Sequence, residues 1–163
     1  MGVYTFTAID ETSPIAPARL FKALCLDNHI IFPKVLPHVI KTIDFVEGDS
    51  TVVGCVKQYN FAEGIPHKYA KGKVNELDVN NCYVKFTNIE GDILGDVLEC
   101  IVYEVKMETS GSGSHYKMVC HFHTKGDIVV TETDDIVKGD IQSLVMTYKA
   151  VQEYLLNNPQ LCA

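Results

Sequence analysis

Residues 131–159 read TETDDIVKGDIQSLVMTYKAVQEYLLNNP. Val137, Ile141, Leu144, Tyr148, Val151 and Leu155 recur at steps of four and three, which draws one apolar stripe along a helix. Thr131 with Asp134 offers a start resembling a capping box, and Asn157-Asn158-Pro159 a stop. Gly139 lies inside and costs the helix ~1 kcal/mol against alanine, so a bend is expected there. A helix this long with a single dry face needs a large apolar surface to cover it.

The rest of the chain supplies a sheet. Residues 3–10 suggest a first strand, and from 39 to 124 short strands alternate with turn signals such as Glu63-Gly64 and Asn80-Asn81. Within 82–86, Cys82, Val84 and Phe86 share one face, with Tyr83 and Lys85 on the other. Within 116–123, Tyr116, Met118, Cys120 and Phe122 oppose Lys117, Val119, His121 and His123. Strands with one wet and one dry face belong to an antiparallel sheet. Six strands here and the first make seven. Between them, Pro14 and Pro17 mark helix starts; 17–24 and 27–32 read as two short helices, the second capped by Asp27 and closed at Pro33. A seven-stranded sheet curling around one helix tends to leave a space between them.

At 163 residues the chain reads as one domain, 1–163, with 47% apolar and 21% charged residues. A net charge of −7 disfavours phosphate backbones and anionic membranes as main partners. The start MGVYTFTAIDE has neither a basic stretch nor a long apolar run, and no segment approaches the ~18 apolar residues of a spanning helix. The location expected is cytoplasmic, and also nuclear. Six cysteines without a CxxC pair or zinc spacing are expected to be free thiols; no metal and no cofactor is expected. The stretch EGDSTVVGC, 47–55, places five residues between Gly48 and Gly54, with Cys55 and Val56 following. The phosphate-binding loop of nucleoside triphosphatases needs four residues there, then Lys and Ser/Thr, so a turn between strands is the reading that fits.

Several runs resemble the pathogenesis-related class 10 family of plants, the group of the major birch-pollen allergen within the START-like superfamily. They are MGVYTF, PARLFKA (Pro17 to Ala23), PKVLPHVIK (Pro33 to Lys41), EGD at 47–49 and 90–92, HTKGD (His123 to Asp127) and the final EYLL. The resemblance spans essentially the whole chain. It implies an α+β helix-grip fold: a curved seven-stranded antiparallel sheet around a long C-terminal helix, with two short helices as a V-shaped support and an internal cavity. It also implies that 47–55 is the family's glycine-rich loop, here one residue longer and short of two glycines, which weakens any phosphate or RNA role.

The resemblance further implies a defence-related carrier or store of small amphipathic plant metabolites: cytokinin-type hormones, flavonoids and phenolics. No specific nucleic acid and no membrane is implied, and the chain works mostly as a monomer. The matching wall positions are Phe6, Leu24, Ile30, Phe32, Ile40, Tyr59, Phe61, Tyr69, Val84 and Phe86, then Ile101, Tyr103, Val105, Met118, Cys120 and Phe122. From the helix, Ser143, Met146 and Thr147 face the same space. Val84, Phe86, Met118, Cys120 and Phe122 also fall on a dry face by alternation alone.

Two other functions are consistent with that family. Norcoclaurine synthase, a relative, condenses an amine with an aldehyde in its cavity, chemistry that needs a lysine or carboxylate tuned toward neutrality in an apolar site. Lys57, alternating with Tyr59 and Phe61, is the candidate, expected to carry its charge to the cavity mouth on a long stem, with Lys73 on the next strand. Abscisic-acid receptors share the fold and act on a phosphatase, but their gate sequences are not found here. No residue is assigned as catalytic. His121 and His123, two apart on the wet face, read as solvated side chains. With reagent added after denaturation, the fresh protein should titrate six thiols without prior reduction; four or fewer would mean a disulfide.

Overall fold

In the computed structural model, which describes residues 1–162, the strands are β1 (Val3–Ser13), β2 (Ile40–Glu47), β3 (Val56–Phe61), β4 (Tyr69–Asp78), β5 (Tyr83–Gly91), β6 (Leu98–Ser110) and β7 (Gly113–Thr124). They form one antiparallel sheet in the order β1-β7-β6-β5-β4-β3-β2. Strands β2 to β7 pair with their chain neighbours, while β1 joins the far side of β7. The chain must therefore cross from one edge to the other after β1. Helix α1 (Pro17–Phe21), a π-helical stretch (Lys22–Leu26) and α2 (Asn28–Val35) make that crossing, and α3 (Asp135–Asn157) follows β7.

The sheet curves because its ladder is interrupted. Register shifts fall between Thr7 and Ile9, in β2 on either side of Ile43, in β4 between Lys71 and Gly72 and between Val74 and Glu76, and in β6 between Leu98 and Cys100. Each bulge bends its strand and steepens the local twist. At the β6–β7 turn, a Cβ on Gly113 would lie 1.9 Å from the Ser13 carbonyl oxygen, so only glycine admits the end of β1 there.

Helix α3 runs unbroken through Gly139. Asp134 stands at its amino-terminal cap position, but the motif differs from a capping box: the Asp134 side chain accepts from the Thr131 amide at 2.6 Å and closes a turn ahead of the helix. Asp27 likewise makes no side-chain cap to α2 and lies 4.0 Å from the Lys22 ammonium instead. Pro33 does not close α2. The helix continues to Val35, and the Leu36 amide bonds the Phe32 carbonyl at 2.8 Å; burial of Ile31, Phe32 and Leu36 offsets the missing proline donor.

The stripe on α3 is used unequally. Val137, Tyr148, Val151 and Leu155 are fully buried, whereas Ile141 and Leu144 are half-buried. Tyr148 meets Tyr116 of β7 edge-on, ring centroids 4.9 Å apart. The carboxyl end of the helix is tied down by Arg19 from α1. Its Nη2 donates to the carbonyls of Leu155 (2.6 Å) and Asn158 (2.7 Å), and its Nε to that of Leu161 (2.7 Å). These are the orphan carbonyls a helix end exposes, and a guanidinium at that end also suits the helix dipole. Arg19→Ala should lower the unfolding free energy in urea by about 2 kcal/mol, and Arg19→Lys should restore less than half, because an ammonium lacks the fork.

Candidate functional site

Between the concave face of the sheet, α2 and the amino-terminal half of α3 lies a cavity of about 800 Å³. Apolar side chains make most of its wall, and the sheet face supplies them by alternation: Phe61 and Tyr59 on β3, Val84 and Phe86 on β5, Tyr103 and Val105 on β6, Met118 on β7. Leu24, Phe32 and Ile40 border it from the support side, and Ser143, Met146 and Thr147 from α3.

Six of the expected wall positions lie elsewhere. Ile30 is 58% exposed, because α2 turns the neighbouring Ile31 and Phe32 inward instead. Tyr69 faces outward, its phenol donating to the Glu90 carboxylate at 2.9 Å, while the next residue, Ala70, faces the cavity. Phe6, Ile101, Cys120 and Phe122 do point inward, yet they border no space. Phe6 and Phe122 pack edge to face at 5.7 Å, Ile101 pairs with Phe122 across the ladder, and all join the solid core with Val137. Alternation identifies a dry face; it does not say where packing ends and a void begins.

Exposed or half-buried His38, His67, Lys71 and Asp135 border the cavity, and two hydrogen-bonded polar clusters stand within its apolar wall. At the β3 side, Lys57 is 3% exposed rather than carried to the mouth, and Lys73 is on the outer surface. The Lys57 Nζ donates to Asn28 Oδ1 at 2.7 Å and to the Cys25 carbonyl at 3.4 Å, and stands 5.4 Å from the Phe45 ring centre. Asn28 in turn donates to the Tyr59 phenol at 3.0 Å. Burial lowers the Lys57 pKa to about 8 and pushes both the Tyr59 phenol and the Cys25 thiol up to about 12.

At the β6 side, the Tyr103 phenol donates to Asp140 Oδ2 at 2.9 Å. Burial lifts the Asp140 carboxyl to about 6, against the opposing pull of that bond, and burial also raises Tyr103. Asn88, buried on β5, borders the same side of the cavity. Sequence reading missed Asp140, yet it sits three residues after Val137 and four before Leu144. A carboxylate at a stripe position was the signal.

Among the described residues the outer face shows no such cluster. His121 spends both ring nitrogens, one on the Thr5 hydroxyl (2.8 Å) and one on Glu104 (2.6 Å), and that histidine bond is the main cause lowering the Glu104 pKa. In the 47–55 loop, Gly48 and Gly54 have φ of +81° and +92°, and the Gly54 and Cys55 amides are committed to the carbonyls of Val74 and Val52. All six cysteines are free. Among the described residues no helix is long and apolar enough to cross a membrane.

A curved antiparallel sheet gripping a long terminal helix, with a cavity held open beneath its first half, defines a class of hollow helix-grip proteins. The chain belongs to the Pathogenesis-related protein Bet v 1 family, whose model matches residues 3–158. It is 43% identical over 164 residues to pathogenesis-related protein STH-21 of Solanum tuberosum, covering 100% of both chains. The crystal structure of Ara h 8.0201 is similar at a TM-score of 0.85 and 33% identity, over 96% of this chain and 99% of that one. Norcoclaurine synthase from Thalictrum flavum, solved with dopamine and hydroxybenzaldehyde, shares the fold at a TM-score of 0.76 and 16% identity, over 96% and 88% of the chains.

The Asp140 carboxyl has a folded pKa raised above its ordinary 3.8, so the folded state binds the extra proton between about 4 and 6. Stability from this group is greatest at low pH and falls as pH rises through about 6. Asp140→Asn should therefore match the wild type in urea denaturation near pH 4. It should exceed it by about 1–2 kcal/mol at pH 7.5, allowing for water at a half-buried group.

Proposed function

We propose that the protein is a non-catalytic carrier or store of small amphipathic plant metabolites, held in the internal cavity. The observation that carries this reading is the cavity itself: about 800 Å³, mostly apolar, with two separated hydrogen-bonded polar clusters in its wall. Sites for drug-sized molecules have that volume and that sparse placement of polar groups. The sizes and shapes that fit are those of cytokinin-type hormones, flavonoids and related phenolics. Phe86 and Tyr103, stacked with centroids 4.9 Å apart, offer such rings an aromatic wall. The fourteen expected positions that border the cavity, Lys57 and Tyr59 among them, are the contacts this reading assigns. The six free thiols suit a reducing cytoplasm with access to the nucleus, and the charge of −7 suits a chain without a specific nucleic-acid or membrane partner.

A second reading, a cavity enzyme, is favoured by one observation: Lys57 and Asp140 both have ionisation moved toward neutrality. Against it, Lys57 is held by Asn28 and the Cys25 carbonyl, which leaves its ammonium engaged in the wall.

Titration calorimetry with a cytokinin and a flavonoid, and displacement of the neutral dye Nile red, test the carrier reading. Micromolar binding with the ligand recovered unchanged after hours is the expected result. Ligand conversion would favour the enzyme, and no binding below millimolar would sink the carrier.

A further inference from the structure

The two polar places in the cavity are not equivalent. Lys57 has its charge answered by Asn28 Oδ1 and the Cys25 carbonyl. Asp140 has only the Tyr103 phenol; among the described residues no cation and no amide donates to its carboxylate. Lys57 does not pair with it: its hydrogen bonds go to Asn28 and Cys25, and β4 and β5 lie between its strand and that of Tyr103. A carboxylate facing an apolar wall with one neutral donor is a desolvated charge without a counter-charge, which structures rarely retain unless something else supplies one.

We propose that Asp140, oriented by the Tyr103 phenol, is the recognition point for the protonated nitrogen of an amine-bearing aromatic ligand. This rests on the carrier reading and narrows it. A neutral hydroxyl or N–H would satisfy one lone pair, whereas only a cation compensates the charge. The stacked faces of Phe86 and Tyr103 beside the carboxylate add a quadrupole that also attracts a cation and covers an aromatic ring. The net charge of −7 draws cations toward the molecule as a whole.

The pH behaviour follows from the groups around the site. Facing Asp140 are Tyr103 from β6 and Cys120 from β7; Asp135 precedes it on its own helix. Lys57, Lys71, His38 and His67 lie further along the cavity wall, and Lys71 is paired with Glu90 at 3.1 Å. Protonating Asp140 removes the counter-charge, so an aliphatic ammonium loses its partner as pH falls while a neutral isostere does not.

The test uses tryptamine and its neutral counterpart tryptophol, each competing with Nile red for the full-length protein. At pH 7.5 tryptamine should bind about tenfold more tightly than tryptophol, the worth of one charge-assisted hydrogen bond. Asp140→Asn should bring the ratio to about one, chiefly by weakening tryptamine, and lowering the pH to 5 should do the same in the wild type only. Tyr103→Phe removes a donor that favours the ionised carboxyl, so the pH at which the preference disappears should move up. That arm and the wild-type pH arm stand even if Asp140→Asn folds poorly. Equal binding of the two probes in the wild type, or a preference that survives Asp140→Asn, overturns the proposal and leaves the carrier reading intact. Failure of Nile red and both probes to bind overturns both.

Discussion

One helix cannot fill the concavity of a seven-stranded sheet, and the structure resolves this by packing only half of it. Helix α3 packs against β1, α2 and the π-helical stretch, and in its carboxyl half Tyr148 meets Tyr116 of β7 while Val151 and Leu155 are fully buried. Arg19 fixes that end by holding carbonyls at and beyond the helix terminus. The first turn is seated too, with Val137 fully buried in the core, so the stretch from Gly139 to Thr147 spans the opening and the cavity is what remains beneath it. The short helices matter for the same reason: α1 places Arg19, and α2 places Asn28 and Phe32 at the cavity edge. They are too short to be stable alone, and they gain their stability from this docking.

The cavity wall is mostly of a kind that any apolar molecule can wet, so on the carrier reading proposed above selectivity rests with the polar clusters. Both cost stability in the empty protein. The Lys57 ammonium is desolvated among Phe45, Cys25 and Tyr59, and Asp140 is desolvated beside Tyr103. They differ in remedy: the lysine is satisfied by the protein, the carboxylate only in part. A group satisfied by the protein holds the wall together, and a group left short is where a ligand can improve on the empty state.

How much of this was legible in the sequence follows from what periodicity can encode. The stripe from Val137 to Leu155 announced α3, and the alternation around Val84, Phe86, Met118 and Phe122 announced the inward face of the sheet. Neither pattern carries depth. Phe122 and Met118 share a face of one strand, yet one sits in solid core and the other borders the void, because that depends on how far α3 stands off the sheet at each point along β7. Tyr69 was misplaced because β4 carries two register shifts, and YAKGKVNELD has no clean alternation from which to read its faces. Lys57 was assigned to the correct face but to the wrong depth, since a lysine stem can reach a rim or stay inside and only its partners decide. Asp140 was overlooked because a stripe is found by its apolar members, and a polar residue at a stripe position looks like a gap rather than a site.

That gap links binding to stability. An ionised Asp140 in the empty cavity subtracts from the folding free energy above about pH 6, and the same desolvation is what a cationic ligand would relieve. Any ligand that binds the folded chain stabilises it by mass action. A neutral ligand does so without regard to the carboxylate, whereas a cation returns part of what the buried charge removed. The penalty on the empty protein and the preference among ligands are then two measurements of one interaction, and a wall carrying asparagine at position 140 would give up both together.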